Sequence, residues 1–319
     1  MQIRLVPLVL VVPSWCFAGA IVDPPFSGIT VANLGTPVSL TGAYYYTAID
    51  FLNDFSLLLA VGNPASSTQT EAIYSMAVNR SVSGAITSLG TPVVDFSVTA
   101  STGAVYSNIV SGGLTNAPGG AILYDTKSVG YLGQYSGGAS QLSPMSGVLG
   151  GLGYVPAGGS SQLLLSTPGG NWYDLAFSGG DFSVGPALNL GVPADSFAYL
   201  PAGFSLSLPN AGILVGDAAA QAIQFYAFNP STGLPIGAGV NVVSAPGSSP
   251  EGLGYGLARD PVTGAFLFTG SNNDIYLLQG DSTGSTGAAT PEPGTFALLG
   301  AAGILCAFRK LRGAGRPAR

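Results

Sequence analysis

The sequence predicts an all-β fold, and three observations support that prediction. The chain of 319 residues is 47% hydrophobic but only 8% charged, which is too apolar for a disordered chain. It contains 48 Gly and 23 Pro, residues that separate short strands with turns. Strand-like stretches also recur along the chain, so a repeated β architecture is expected.

Three stretches of the chain are similar to one another. They begin at Gly151 (GLGYVPAGGSSQLLLS), Ser196 (SFAYLPAGFSLSLPNAGILVG) and Gly252 (GLGYGLARDPVTGAFLFTG). Each combines a small residue, an aromatic residue, a turn and an apolar strand, and their starts are 45 and 56 residues apart. A period of this size, built from short strands, is typical of propeller blades.

Weaker copies of the repeat extend the pattern to the rest of the body. The resulting prediction is a β-propeller of about five blades, near residues 44–94, 95–145, 151–191, 196–245 and 252–280. The last copy is short, and GITVANLGTPVSL (28–40) resembles the second half of the fourth copy, so we expect the N-terminal strands to complete the final blade. A β-sandwich, or another repeated β fold, is the alternative.

Two turns have the same design. Residues 229–233 (NPSTG) and 260–264 (DPVTG) each open with Asn or Asp, continue with Pro and end with Gly. Asn and Asp favour turn initiation, Pro presets φ, and Gly accepts the left-handed conformation. Both segments are therefore predicted to be tight hairpins within a blade.

The charge of the body narrows the choice of partner and of chemistry. Between residues 21 and 290 there are 14 acidic residues and three basic ones, so this region carries a net charge of about −11. Such a surface argues against nucleic acid, because phosphate binding needs clustered Lys and Arg. The same region contains no Cys and no His, which removes thiol nucleophiles, disulfides, zinc-type sites and imidazole bases.

The first 20 residues have the pattern of a signal peptide. Arg4 gives a positive start, an apolar run follows, and Ala18-Gly19-Ala20 matches a small-residue cleavage site. We therefore expect a signal helix in residues 1–20, cleavage after Ala20 and export of the chain. A buried N-terminal strand is the alternative.

The other end of the chain has three parts in a fixed order. Pro291-Glu292-Pro293 precedes a short apolar segment, residues 294–308, which is followed by Arg309, Lys310 and Arg312 in a basic end, residues 309–319. A helix over the apolar segment would be about 22 Å long, short of the roughly 30 Å hydrocarbon core. Thinning of the bilayer and snorkelling of the basic side chains would still allow a transient membrane stage.

These three parts resemble the PEP-CTERM sorting domain of Gram-negative bacteria. The resemblance covers residues 291–319 and implies an exosortase as partner, an inner-membrane intermediate, and a final place at the cell surface or in the extracellular matrix. It also implies an association with exopolysaccharide and biofilm. Residues 281–290 (DSTGSTGAAT) are predicted to be a flexible spacer between body and tail.

No catalytic motif is recognisable in the body, residues 21–280. Its acids, which include Asp54, Asp174 and Asp217, fall mostly beside Gly, Asn or Ser, where Asp favours turns. No cofactor and no metal site is therefore predicted. A calcium loop at residues 271–274 or around Asp125 is a weaker alternative, because known calcium loops carry more carboxylates.

One aromatic pair is a candidate glycan contact. Trp172 and Tyr173 lie in Gly-Asn-Trp-Tyr-Asp (170–174), which is predicted to be a loop, and exposed aromatic rings beside Asn and Asp suit stacking on sugars. Packing between blades is the favoured interpretation of such aromatic residues, and the glycan contact is the functional alternative. The sequence thus favours a non-catalytic surface or matrix protein that binds exopolysaccharide or another exported protein. The alternatives are a purely structural coat protein and an exported glycan hydrolase or lyase with paired carboxylates on the propeller face.

Overall fold

The computed structural model describes residues 21–281, except for residues 24, 25, 27, 38–44, 63–69, 100–109, 127–129, 146, 246–253 and 271–272. Every regular element in these residues is a β-strand. The predicted signal helix, the C-terminal helix, the sorting motif and the basic end all lie outside the described residues.

The strands are numbered in chain order. Two strands, β1 (Ile21–Val22) and β2 (Ile29–Gly35), precede the first blade. Blade 1 contains β3 (Tyr45–Asn53), β4 (Ser56–Gly62), β5 (Thr70–Arg80), β6 (Ile86–Leu89) and β7 (Val93–Thr99). Blade 2 contains β8 (Val110–Asn116), β9 (Ile122–Thr126), β10 (Tyr131–Ser136) and β11 (Ala139–Pro144). Blade 3 contains β12 (Leu152–Ala157), β13 (Ser160–Ser166), β14 (Asn171–Ser178), β15 (Asp181–Val184) and β16 (Leu188–Asn189).

The last two blades use the strands at the start of the chain. Blade 4 contains β17 (Ser196–Leu200), β18 (Gly212–Asp217), β19 (Ala222–Phe228) and β20 (Pro235–Ser244), with β1 added at its edge. Blade 5 contains β21 (Leu257–Arg259), β22 (Phe266–Thr269) and β23 (Ile275–Gly280), with β2 as its outermost strand. The described residues thus form a five-bladed β-propeller. The prediction that N-terminal strands complete the final blade is confirmed for β2, whereas β1 joins blade 4.

Five apolar clusters lie between neighbouring blades, one at each of the five seams. Strand β4 shows how the sequence produces them. Leu57 and Leu59 belong to the cluster shared with blade 5, whereas Leu58 and Ala60 belong to the cluster shared with blade 2. Successive side chains of a strand point to opposite faces, so a strand between two blades reads as a continuous apolar run.

The antiparallel order within each blade gives the propeller two different ends. We call the end with the turns between first and second strands, and between third and fourth strands, the hairpin face. The opposite end, where the chain passes from one blade to the next, is the linker face. Each innermost strand runs from the linker face to the hairpin face.

The two predicted turns, residues 229–233 and 260–264, lie on the hairpin face. Gly233 and Gly264 have φ of +70° and +74°, as expected for the left-handed position. Each of their amides donates to the carbonyl of the residue that opens its turn, at 2.7 Å from Asn229 and 2.9 Å from Asp260. The prediction of tight hairpins is confirmed.

One predicted blade boundary is wrong. The stretch from Asp95 was assigned to the second blade, but β7 pairs with β5 and belongs to blade 1. The strand resembles the start of a repeat because Phe96 and Val98 alternate inward, which any half-buried strand does.

Candidate functional site

A shallow concave site lies on the linker face, beside blade 3. It is a cleft of about 490 Å³ between the segment that enters β12 and the turn that joins β13 to β14. Its lining residues are Gly147, Val148, Thr167, Pro168, Gly169, Asn171 and Tyr173. This volume falls within the usual range of small-molecule sites.

The polar side of the cleft is fixed by the turn before β14. The Asn171 amide donates to Thr167 Oγ1 at 3.0 Å, and the Gly170 amide donates to the Thr167 carbonyl at 3.0 Å. Gly170 has φ of +81°, a conformation that side chains with a Cβ rarely adopt. The turn therefore presents the half-buried side chains of Asn171 and Tyr173 in one arrangement.

The structure separates the two candidate glycan contacts. Tyr173 lines the cleft, but Trp172 is fully buried and packs on Phe197 with ring centroids 4.8 Å apart. Its Nε1–H donates to the Val192 carbonyl at 3.0 Å. Residues 171–174 belong to strand β14, so the prediction of a loop is wrong, and so is the prediction of Trp172 as an exposed contact. Neighbours on a strand point to opposite sides, and here only Tyr173 points to the cleft.

The carboxylates on the linker face support turns. Asp217 ends β18, and its Oδ1 accepts a hydrogen bond of 3.0 Å from the Ala220 amide. Asp195 precedes β17, and its Oδ2 accepts one of 3.0 Å from the Ala218 amide. Because Ser196 pairs with Gly216, these two buried carboxyl groups are neighbours at the end of blade 4. Asp195 carries no signal in the sequence, since residues 195 and 217 share no local motif.

The other candidate acids are dispersed over the propeller. Asp54 lies on the hairpin face, and Asp174 lies within β14. Asp274 is held on the linker face, where its oxygens accept hydrogen bonds of 2.6 Å from Asn33 Nδ2 and Thr36 Oγ1. Asp125 is fully buried beside Gly113. Among the described residues, no group of three or more Cys, Asp or Glu is placed to hold a metal ion.

A second, smaller cleft joins two copies of one tetrapeptide. The phrase Leu-Gly-Thr-Pro occurs at residues 34–37 and 89–92, and the two copies line a cleft of about 170 Å³ at the seam between blades 5 and 1. Leu34 and Leu89 both pack against the apolar cluster of that seam. The repeated phrase therefore marks a repeated structural position at the outer edge of neighbouring blades.

The residues that carry the sorting prediction cannot be placed on this framework. Pro291, Glu292 and Pro293, the basic residues Arg309, Lys310 and Arg312, and the cleavage residues Ala18 and Ala20 lie outside the described residues. Within the described residues, no helix is long and apolar enough to span a membrane.

No family model matches the chain, and no curated protein matches it. Among solved structures, the chain is similar to a streptogramin B lyase, with 10% sequence identity and a TM-score of 0.36 over 81% of this chain and 99% of that one.

Proposed function

We propose that this chain is an exported, non-catalytic protein of the cell surface or extracellular matrix that binds exopolysaccharide. Its signal peptide, residues 1–20, directs export. Its tail, residues 291–319, is a PEP-CTERM sorting domain that passes through an inner-membrane stage and is processed by an exosortase. The observation that carries the proposal is the order of these two segments around an acidic body.

The linker-face cleft supports polysaccharide as the ligand. A sugar ring presents an apolar face and a rim of hydroxyl groups. Tyr173 offers an aromatic ring for the face, and the Asn171 side chain offers both a donor and an acceptor for the rim. Other exported proteins are the second class of partner for this cleft.

A glycan hydrolase or lyase is the second candidate, because Asp195 and Asp217 are neighbouring carboxylates on the linker face. Both already accept hydrogen bonds from the backbone of the turn at residues 218–220, which is a structural role. Release of new reducing or unsaturated ends from the native polysaccharide, abolished by Asp195→Asn, would favour this candidate. Saturable binding without products would favour the first.

Export and processing are tested by the intact mass and terminal peptides of the protein from its native cells, in membrane and secreted fractions. We expect a mature chain that starts near Ile21 and, once processed, ends near residues 291–293. A membrane-bound chain that retains Arg319 would mean that the tail is a plain anchor, and the exosortase would be removed from the proposal.

The ligand is tested with polysaccharide purified from the same cells. We expect Tyr173→Ala to weaken binding about tenfold, which corresponds to about 1.4 kcal/mol, whereas Tyr173→Phe should retain most of the affinity. Tyr199→Ala is the matched control. Tyr199 is also half-buried, but it lies near the hairpin-face end of β17, away from the cleft. Equal weakening by Tyr173→Ala and Tyr199→Ala would contradict a site in the cleft.

A further inference from the structure

Three large apolar side chains are exposed together on the hairpin face. Phe55 is 68% exposed at the turn between β3 and β4, Val82 is fully exposed at the turn between β5 and β6, and Val262 is 42% exposed at the turn between β21 and β22. A Cβ built on Gly84 would lie 3.0 Å from Val262 Cγ1, so the last two turns touch. We call Phe55, Val82 and Val262 the apolar patch.

One buried ion pair holds all three turns of the apolar patch. Arg80 donates to the Asp54 carbonyl at 2.6 Å and to the Gly84 carbonyl at 2.9 Å. Its two terminal nitrogens donate to the Asp260 carboxylate at 2.8 and 2.7 Å. Asp260 in turn accepts a hydrogen bond of 3.1 Å from the Val262 amide. The three turns that carry Phe55, Val82 and Val262 are therefore held in a fixed arrangement at the seam of blades 5 and 1.

The chain leaves the body on this same face. Strand β23 ends at Gly280, and Asp281 Oδ1 accepts a hydrogen bond of 2.9 Å from the Leu206 amide in the hairpin-face loop of blade 4. Leu206 is itself 85% exposed. The apolar segment of the tail starts at Gly294, so residues 282–293 connect it to the body. Twelve residues span at most about 40 Å even when fully extended, so the hairpin face stays close to the membrane that holds the tail.

The distribution of charge also favours the hairpin face as the side that approaches an anionic membrane. Arg80 and Arg259, the two cations within the described residues, lie at the hairpin-face ends of β5 and β21. The hairpin face also carries Asp54, Asp181, Asp260 and Asp281, and Asp260 is paired with Arg80. The linker face carries Asp125, Asp195, Asp217 and Asp274, with no Lys or Arg among its described residues. Anionic lipid headgroups would therefore repel the hairpin face less than the opposite end.

We propose that the apolar patch is a membrane-contact surface. While the tail is inserted, Phe55, Val82 and Val262 lie in the interface of the bilayer and turn the linker-face cleft away from it. The short tether raises the effective concentration of the patch at the membrane, so three side chains suffice for an oriented contact. This inference rests on the membrane stage of the proposed function.

The experiment uses the mature chain, residues 21–319, with Cys306→Ala and a polarity-sensitive dye on one new cysteine. Val82→Cys reports on the patch, and Val148→Cys, 51% exposed on the linker face, is the control. The chain is reconstituted with vesicles of phosphatidylethanolamine and phosphatidylglycerol, and flotation reports insertion of the tail independently. We expect a blue shift at position 82 on floated vesicles and none at position 148.

The other outcomes would overturn the inference in distinguishable ways. A chain that floats without a blue shift at position 82 would leave the membrane stage intact and remove the contact surface. A chain that does not float would remove both. A blue shift at position 82 without vesicles would mean that a second copy or the tail covers the patch.

Matched variants test the same contact from a neighbouring position. With the dye on Leu206→Cys, the triple variant Phe55→Ser, Val82→Ser and Val262→Ser should lose the vesicle-dependent blue shift. The control triple Val93→Ser, Val94→Ser and Val148→Ser removes side chains of similar exposure elsewhere and should retain it. Loss of the shift in both triples, or in neither, would contradict a role specific to the patch.

Discussion

The two ends of this propeller are held together by different interactions. Near the axis of the linker face, backbone lies against backbone: a Cβ on Gly112 would lie 1.5 Å from the Asp195 carbonyl oxygen, and one on Gly216 would lie 2.2 Å from the Gly254 carbonyl oxygen. Ser196 Oγ adds a hydrogen bond of 2.5 Å to that Gly254 carbonyl. Small residues are required there because the blades converge.

On the hairpin face, side chains connect neighbouring blades. Arg80 of blade 1 reaches Asp260 of blade 5, and the Asp281 carboxylate at the end of blade 5 reaches the Leu206 amide of blade 4. A Cβ on Gly137, in a turn of this face, would have no heavy atom within 4 Å, so only the turn conformation requires glycine there. At these positions, size is the limiting property where the blades converge on the linker face, and charge is the limiting property at the Arg80–Asp260 pair on the hairpin face. Size also limits the exit of the chain on the hairpin face, because a Cβ on Gly280 would lie 1.8 Å from the Phe204 carbonyl oxygen.

The largest effect is expected from loss of charge on the hairpin face. Arg80→Ala leaves the Asp260 carboxylate, which is 0% exposed, without its cation, so the free energy of unfolding should fall by about 3–5 kcal/mol. Arg80→Met combined with Asp260→Leu should recover most of the loss, because neither member of the pair is then left buried without the other. Denaturant unfolding of the three proteins measures this. A loss below about 1 kcal/mol for Arg80→Ala would contradict a stabilising role for the Arg80–Asp260 pair.

The next largest effect is the loss of stability when a glycine is replaced by alanine, and it should differ between Gly216 on the linker face and Gly137 on the hairpin face. Gly216→Ala forces a Cβ against the Gly254 carbonyl oxygen and should cost about 3 kcal/mol. Gly137→Ala places its Cβ in open space at φ of +59° and should cost about 1 kcal/mol, from the backbone conformation alone. Thermal unfolding of both variants compares these costs, and the reverse order would contradict the close backbone contact at Gly216.

At alkaline pH, a buried tyrosine on the linker face, Tyr46, should ionise at higher pH than Tyr199 on the hairpin face. Burial raises the pKa of Tyr46, and the nearby Asp274 raises it further, whereas burial raises the pKa of Tyr199 against an opposing effect of Arg259. Above pH of about 10 the unfolded chain loses phenol protons that the folded chain retains, so stability falls as pH rises. Ultraviolet titration with Tyr46→Phe and Tyr199→Phe should show Tyr199 ionising first. Ionisation of Tyr46 before Tyr199 would contradict the assignment.

The smallest effect is expected at the exit of the chain. The hydrogen bond from the Leu206 amide lowers the pKa of Asp281, so this contact is complete at neutral pH and is lost as pH falls below about 4. Asp281→Asn should leave the unfolding midpoint at pH 7 nearly unchanged. It should accelerate hydrogen exchange at the Leu206 amide, and unchanged exchange would mean that the contact does not hold the exit.

Most of the fold could be predicted from the sequence repeats. Blades 3 to 5 were predicted from aligned strands and turns, and closure by β2 followed from the short final repeat. The boundary at Asp95 failed because the first repeats diverge, so β7 could not be assigned to its partner from alternation alone. Pairing partners depend on contacts between distant segments, which local pattern does not determine.

The site was predicted in part. An aromatic pair on a strand must point to opposite sides, but the sequence did not show which side faces the core, and Trp172 proved to be the buried member. The Arg80–Asp260 pair was missed because 180 residues separate its members. Only the closed ring brings them together, since blade 5 meets blade 1 at that seam.

Hydroxyl-radical footprinting of the mature chain tests most directly the claim that its two ends have different partners. The chain would be measured alone, with vesicles, and with polysaccharide from its own cells. We predict that polysaccharide protects Tyr173 but not Phe55, and that vesicles protect Phe55 but not Tyr173. Protection of both residues by one partner, or of neither residue by either partner, would contradict the account.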